Sequence, residues 1–376
     1  MPKDQKSGKA PRAEAKEREK DTDKAPEAAR HRRDAHSHST RLAGLLKSFS
    51  RDDRLLILIT ADPDSIASAA ALKRILWRKV AHVYVASTNE VRRPDNLRLI
   101  EALGLKLPLV TQLDLSEFTK FAIVDSQPSH NPLFEQVAFS AIIDHHPVCT
   151  SEPQEGHAHV FMDIRPEWGA TASIMVNYLR AAHIKPNKIL ATALFYAIKT
   201  DTQNFVRQGE LEDIEAFRWL FPLIHQPLLT EIEMAPIDRG SFDVVKRSLA
   251  QTTIRKQYAF VFVEDLDHPD TLVIIADFVM LVQGVNRAVI SGVFDNRLII
   301  VLRSAGLRAN LGKLAFDAFG DYGSAGGHKN MARAELSLDS LPATVSRTPA
   351  ALSRFILKRL KDNLPGKRHP EKAPEE

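Results

Sequence analysis

Three apolar runs, each closed by an acid, constrain what this chain can fold into more than any other feature. Residues 55–59 (LLILI), 121–124 (FAIV) and 139–143 (FSAII) are short, rich in Leu, Ile and Val, and almost without polar alternation. Such runs are expected of strands covered on both faces, as in a parallel sheet. The first leads into Asp62-Pro-Asp64, the second ends in Asp125, and the third ends in Asp144-His145-His146-Pro147. Pro147 can stop its strand because it has no N–H to donate and a fixed φ. A fourth strand is expected over residues 83–86. Between the strands lie helical patterns: one after Ser65, expected as its N-cap, through Ala69, Leu72, Ile75 and Leu76, and another over residues 97–103, stopped by Gly104. This alternation predicts an α/β fold with a doubly wound parallel sheet, whose ligands bind beyond the carboxyl ends of the strands.

One acid at a strand end is equally an N-cap or a turn residue, and Asp144-His145-His146 alone is equally a polar loop. Successive side chains on a strand point to opposite faces, so at most two of those three can address one ligand. Acids at three strand ends, however, line one rim with carboxylates. That arrangement needs an opposing cation, most economically a divalent metal. Residues 169–182 and 187–198 read as helices. The second ends at Thr200-Asp201-Thr202, which supplies a fourth candidate carboxylate. Gly169-Ala-Thr171 either sets a helix N-terminus at the cleft or serves close packing.

The expected organisation is a charged tail over 1–40, a first domain over 41–225, a Pro-marked linker over 226–245, a second domain over 246–362 and a charged tail over 363–376. In the second domain, 258–263 reads as a strand and 270–282 as a helix with Ile274, Phe278 and Leu281 on one face. Residues 288–294 and 298–302 read as a hairpin around Asp295-Asn296. A short helix over 311–319 leads into a Gly-rich loop ending at Gly326-Gly327-His328.

A chain of 376 residues, 44% hydrophobic and 26% charged, can bury such a core. No run of 18 apolar residues occurs, so no membrane span is expected, and the first residues lack the apolar segment of a secretory signal. The one cysteine, Cys149, fits a small buried apolar role and a reducing cytoplasm. The net charge of +4 is compatible with an anionic partner but too mild to identify one. Trp77, Trp168 and Trp219 read as core or cleft-wall residues.

Taken in order, these motifs resemble the DHH phosphoesterases that carry a DHHA1 domain. That group includes RecJ-like exonucleases, oligoribonuclease/pAp phosphatases and cyclic-dinucleotide phosphodiesterases. The resemblance covers residues from about 50 to 340. Asp62-Pro-Asp64 looks like the first motif, Asp125 the second, Asp144-His145-His146 the third, Thr200-Asp201-Thr202 the fourth, and Gly326-Gly327-His328 the DHHA1 signature. It implies a doubly wound DHH domain plus a smaller α/β DHHA1 domain, with two Mn²⁺ ions as cofactors. It further implies that Asp62 binds the first ion, that Asp125 bridges both, and that Asp64, His145 and Asp201 complete the second. His146 would contact substrate or support the ligands. Arg303, Gly326, Gly327 and His328 would hold the substrate's far end in a cleft between the domains. The substrates implied are short RNA or DNA or small nucleotides such as pAp. A cyclic-dinucleotide phosphodiesterase and a nucleotide-binding sensor without turnover are the alternatives, and a homodimer is left open. Two departures stand out. Leu58 occupies the place, four residues before Asp62, where the family usually has histidine, so the first ion would lack a ligand. Ala325 stands where a third signature glycine is common.

Overall fold

A computed structural model describes residues 37–135, 137–148, 160–205, 210–306 and 310–364. Cys149 and almost all of both expected tails lie outside them. The chain divides into two compact units. One takes residues up to 88, 105–126 and 137–226; the other takes 89–104, 127–136 and 227 onward.

The first unit is built on five parallel strands in the order β2–β1–β3–β4–β5. They are β1 (Arg54–Ile59), β2 (His82–Ser87), β3 (Lys120–Val124), β4 (Ala141–Asp144) and β5 (Phe161–Ile164). Leu55 to Ile59 are all buried, as their unbroken apolar character requires. From β1 the chain steps to β2 on one side, then returns to β3 on the other. The order therefore reverses between β1 and β3, the position at which parallel α/β sheets open a crevice at their carboxyl ends. The helices are α1 (residues 37–47), α2 (Pro63–Leu76), α3 (Thr171–Ala181), α4 (Lys188–Asp201) and α5 (Leu211–Leu220).

Helix α2 begins earlier than its sequence suggests. Its N-cap is Asp62, not Ser65: the Asp62 side chain accepts from Ser65 N at 2.8 Å, and Asp62 N donates back to Ser65 Oγ at 3.0 Å. Pro63 fits the first turn, where a missing N–H costs nothing. Strand β5 was not anticipated because its four residues include an ionic Asp163. That carboxylate is buried with Arg165 (2.7 Å) and Tyr178, an arrangement no hydropathy pattern discloses. Trp77, expected inside or on a cleft wall, is 65% exposed, whereas Trp168 is buried.

The second unit has a mixed six-stranded sheet in the order β10–β11–β9–β8–β7–β6. These are β6 (Thr253–Arg255), β7 (Tyr258–Val263), β8 (Arg287–Phe294), β9 (Arg297–Ser304), β10 (Gly323–Gly327) and β11 (Met331–Ser337). The two-residue turn between β8 and β9 holds Asp295 and Asn296 at φ 49° and 58°, the left-handed pair a tight hairpin demands. Alternate residues of β9 serve opposite cores. Leu298, Ile300 and Leu302 pack with α8 (Leu311–Phe319) and α9 (Pro349–Asp362), while Ile299 and Val301 pack with α6 (Arg239–Gln251) and α7 (Pro269–Val279). The buried face of α7 is Leu272, Ile275, Ala276 and Val279. Phe278, read as sharing a face with Ile274 and Leu281, is 51% exposed, and Leu281, just past the helix end, is 81% exposed.

The Gly-rich segment is an edge strand, not a loop. Gly323–Gly327 pairs antiparallel with β11 because the glycines let neighbouring backbone come too close for a side chain. A Cβ on Gly312, in the first turn of α8, would stand 2.0 Å from Gly327 O, and Gly327 itself has φ 135°.

Candidate metal centre

The carboxyl ends of β1, β3 and β4 deliver the acids read from the sequence. Asp62 caps α2 and is half-buried, with one oxygen engaged by Ser65 N. Two residues on, Asp64 is buried, and its carboxylate meets the start of α3. Thr171 N donates to Oδ2 and Ala172 N to Oδ1, each at 2.7 Å, so the positive end of α3 supports the charge. Asp125 follows β3 with φ 59°, a left-handed backbone that Asp tolerates better than most residues. It accepts from Thr171 Oγ1 at 2.9 Å. Asp201 closes α4.

His145 lies at the centre and is buried. Its Nδ1 donates to Trp168 O at 3.1 Å. That leaves Nε2 facing Asp201 Oδ2 at 3.0 Å, Asp125 Oδ1 at 3.5 Å and Asp64 Oδ2 at 4.0 Å. An imidazole held by a carbonyl at one nitrogen and aimed into carboxylates at the other is the orientation a metal ligand needs. The adjacent His146 points elsewhere. Its Nδ1 donates to Asp144 Oδ1 at 2.8 Å and lies 3.9 Å from Asp125 Oδ1. Two groups of candidate ligands thus stand side by side in this unit, Asp64–His145–Asp201 and Asp125–Asp144–His146, and within each the ligand atoms all fall within 4.8 Å of one another.

Burial pushes Asp64 up to about 7, helped by repulsion from Asp201 and Asp62. Burial and the charges of Asp64, Asp62, Asp201 and Asp144 hold Asp125 well above the carboxylate range. Asp62 is raised by burial and by Asp201. Burial opposes the charge of His145, yet Asp201, Asp64 and Asp144 outweigh it and push the imidazole up to about 10. Five crowded carboxylates against two imidazoles form a set short of positive charge. Its oxygen and imidazole donors suit a divalent cation, so the residues present fit a metal.

Neighbouring side-chain and backbone groups complete the centre. Asp144, part of the Asp-His-His run, bonds His145 N and His146 Nδ1 rather than facing the centre. The Trp168 carbonyl and the Thr171 and Ala172 amides are backbone groups, which no residue type betrays. Leu58, the position of the absent histidine, is buried in β1.

In the second unit, Arg303 bonds Asp277 Oδ1 through Nε at 2.9 Å and sits opposite Met331 in the sheet. His328 N donates to Met331 O at 2.7 Å, so this amide is committed to the fold. Gly326 has open space where a side chain would be. Arg303 and Gly326 to His328 thus gather at one end of the β9–β11–β10 ladder.

Residues 54–198 match the family model described as the DHH family, N-terminal domain. Over 287 residues, 76% of its length, the chain is 34% identical to an uncharacterised protein of Methanocaldococcus jannaschii, and it spans 58% of that relative's length. An exopolyphosphatase-related protein from Bacteroides fragilis superposes with a TM-score of 0.64 at 14% identity, covering 87% of this chain and 97% of the other. Exonuclease RecJ bound to manganese aligns with a TM-score of 0.46 at 15% identity, covering 86% and 93%. The chain carries a DHH-family N-terminal domain.

Proposed function

We propose that this DHH-family chain is a phosphoesterase dependent on divalent metal, with Mn²⁺ as the preferred ion, acting on short oligonucleotides or small nucleotides such as pAp. The observation that carries this reading is the convergence of Asp64, Asp125 and Asp201 on His145 Nε2, all within 4.0 Å. Residues from four distant stretches of the chain meet there in a buried, negatively charged crevice that holds far more acid than a core tolerates without a cation.

In this reading Asp64, Asp125, His145 and Asp201 hold one ion, and Asp62 with Asp125 holds another. A pair of such ions supplies an activated water nucleophile and clamps the phosphate oxygens. The protein's own part is to fix the ligands and to move a proton. His146, anchored through Nδ1 by Asp144, would exchange a proton with the phosphate or the leaving oxygen. Arg303, Gly326, Gly327 and His328 are proposed to meet the substrate's far end.

The missing histidine supports a second reading. Leu58 cannot ligate, so a chain that keeps the crevice and binds nucleotide without turnover is the alternative. Mn²⁺-dependent phosphate or nucleotide release from pAp, dinucleotides and cyclic dinucleotides separates the readings. Release from pAp or dinucleotides is expected. Release from cyclic dinucleotides alone would move the substrate assignment, and binding without release from any of them would replace the enzyme by a sensor.

A further inference from the structure

Five residues, Trp168 to Ala172, touch three members of the metal centre. The Trp168 carbonyl holds His145, the Thr171 hydroxyl reaches Asp125, and the Thr171 and Ala172 amides hold Asp64. Whatever fixes this segment therefore fixes most of the centre. Gly169 lies inside it, and its amide donates to Asp213 Oδ2 at 2.8 Å. Asp213 is completely buried in the first turn of α5, and the same oxygen takes a second bond from Glu210 N at 2.9 Å.

Helix capping explains only the Glu210 bond. A local cap needs neither full burial nor a partner 44 positions away. Burying a carboxylate is expensive unless donors meet it, and here they come from the N-cap of α5 and from the turn before α3. Space is equally tight: a Cβ on Gly169 would meet Thr202 Cγ2 at 2.6 Å, beside Asp201, and Asp213 Oδ2 at 3.1 Å.

We infer that Asp213 is a positioning residue for the metal centre: by clamping Gly169 it sets the Trp168 carbonyl against His145 and the start of α3 against Asp64 and Asp125. This rests on the reading that the crevice holds a divalent ion. Asp213 touches neither ion nor substrate and acts only through the segment it holds.

The test titrates the full chain with Mn²⁺, following free ion by electron paramagnetic resonance, alongside melting curves. Asp213→Ala is expected to weaken Mn²⁺ binding about 10- to 100-fold, the usual cost of losing a group that orients metal ligands. Asp213→Asn, which keeps an oxygen for Gly169 N and Glu210 N, is expected to stay within about threefold of wild type. Leu220→Ala, which opens a cavity at a fully buried site on the same helix, is expected to lower stability and leave Mn²⁺ affinity unchanged. Gly169→Ala gives an independent displacement of the segment should Asp213→Ala not fold, and it too should weaken binding at least tenfold. Wild-type affinity in a folded Asp213→Ala or Gly169→Ala variant would overturn the clamp alone. So would an Asn variant as weak as Ala, or a Leu220→Ala loss of affinity as large. A wild-type chain that binds no Mn²⁺ would remove the metal reading and the clamp with it.

Discussion

Replacing Asp125 by asparagine should make the metal-free protein more stable while removing its response to metal. The carboxylate is held well above its ordinary range by burial and by Asp64, Asp62, Asp201 and Asp144. Its neighbour Asp64 is raised as well. A shift from 3.8 to about 7 spans about three pH units, or about 4 kcal/mol at 1.36 kcal/mol per unit. The sign follows from proton linkage. A raised carboxylate binds more protons folded than unfolded, so Asp64 destabilises the fold progressively as pH rises from about 4 to about 7. His145 adds to the slope: the stability it contributes is fully present below about 6.5 and lost as pH rises through about 10. Metal-free wild type should therefore lose stability steadily from pH 5 to pH 8. Asparagine keeps the oxygen that accepts from Thr171 and tolerates φ 59°, so it removes charge with little change of shape. We expect Asp125→Asn in EDTA at pH 8 to melt several degrees above wild type and to show a flatter pH profile. Adding Mn²⁺ should raise the wild-type Tm and leave the variant nearly unmoved. Scanning calorimetry from pH 5 to 8.5, with EDTA or Mn²⁺, reads all of this. A metal-free wild type equally stable at pH 5 and pH 8, or a variant no more stable than wild type at pH 8, would refute the electrostatic reasoning.

On the two-ion proposal Leu58 leaves one ion short of a ligand, so a Mn²⁺ titration of wild type should resolve two affinities at least about tenfold apart, and Leu58→His should narrow the gap; two equal wild-type sites would exclude a ligand deficit. His146→Gln should lower kcat by about 100-fold or more while Mn²⁺ affinity changes little, since Nδ1 bonds Asp144 and the ring lies outside the Asp64–His145–Asp201 group; an equal loss of metal binding would make His146 a ligand. Gly312→Ala should destabilise the second unit by about 3 kcal/mol or more, because the new Cβ would meet Gly327 O at 2.0 Å, and an unchanged melting curve would show that α8 can slide away.

The parallel sheet was legible because a strand buried on both faces has to be apolar throughout. Residues 55–59 and 121–124 fall within β1 and β3, and α8 falls on residues 311–319 as expected. The acids at the strand ends were legible for the same reason: a polar residue closing such a run has few places to go but the rim. What stayed hidden depends on backbone or on pairing. Strand β5 carries a buried ion pair, β10 is made of small residues that have no strand preference, and α7 turns its apolar Phe278 outward. The support of His145 by a carbonyl and of Asp64 by two amides leaves no trace in residue identity.

The zipper-like seat of α8 on β10 changes how mutations in the glycine signature should be interpreted. Gly312 is the spacer between helix and strand, and a side chain on Gly327 would run into the backbone of β11, so altering either disturbs the fold before any ligand is consulted. Gly326 faces vacant space and is under no such obligation. A methyl group added there interrogates recognition without disturbing architecture, so of the two adjacent signature glycines it is Gly326 whose replacement speaks to ligand binding alone.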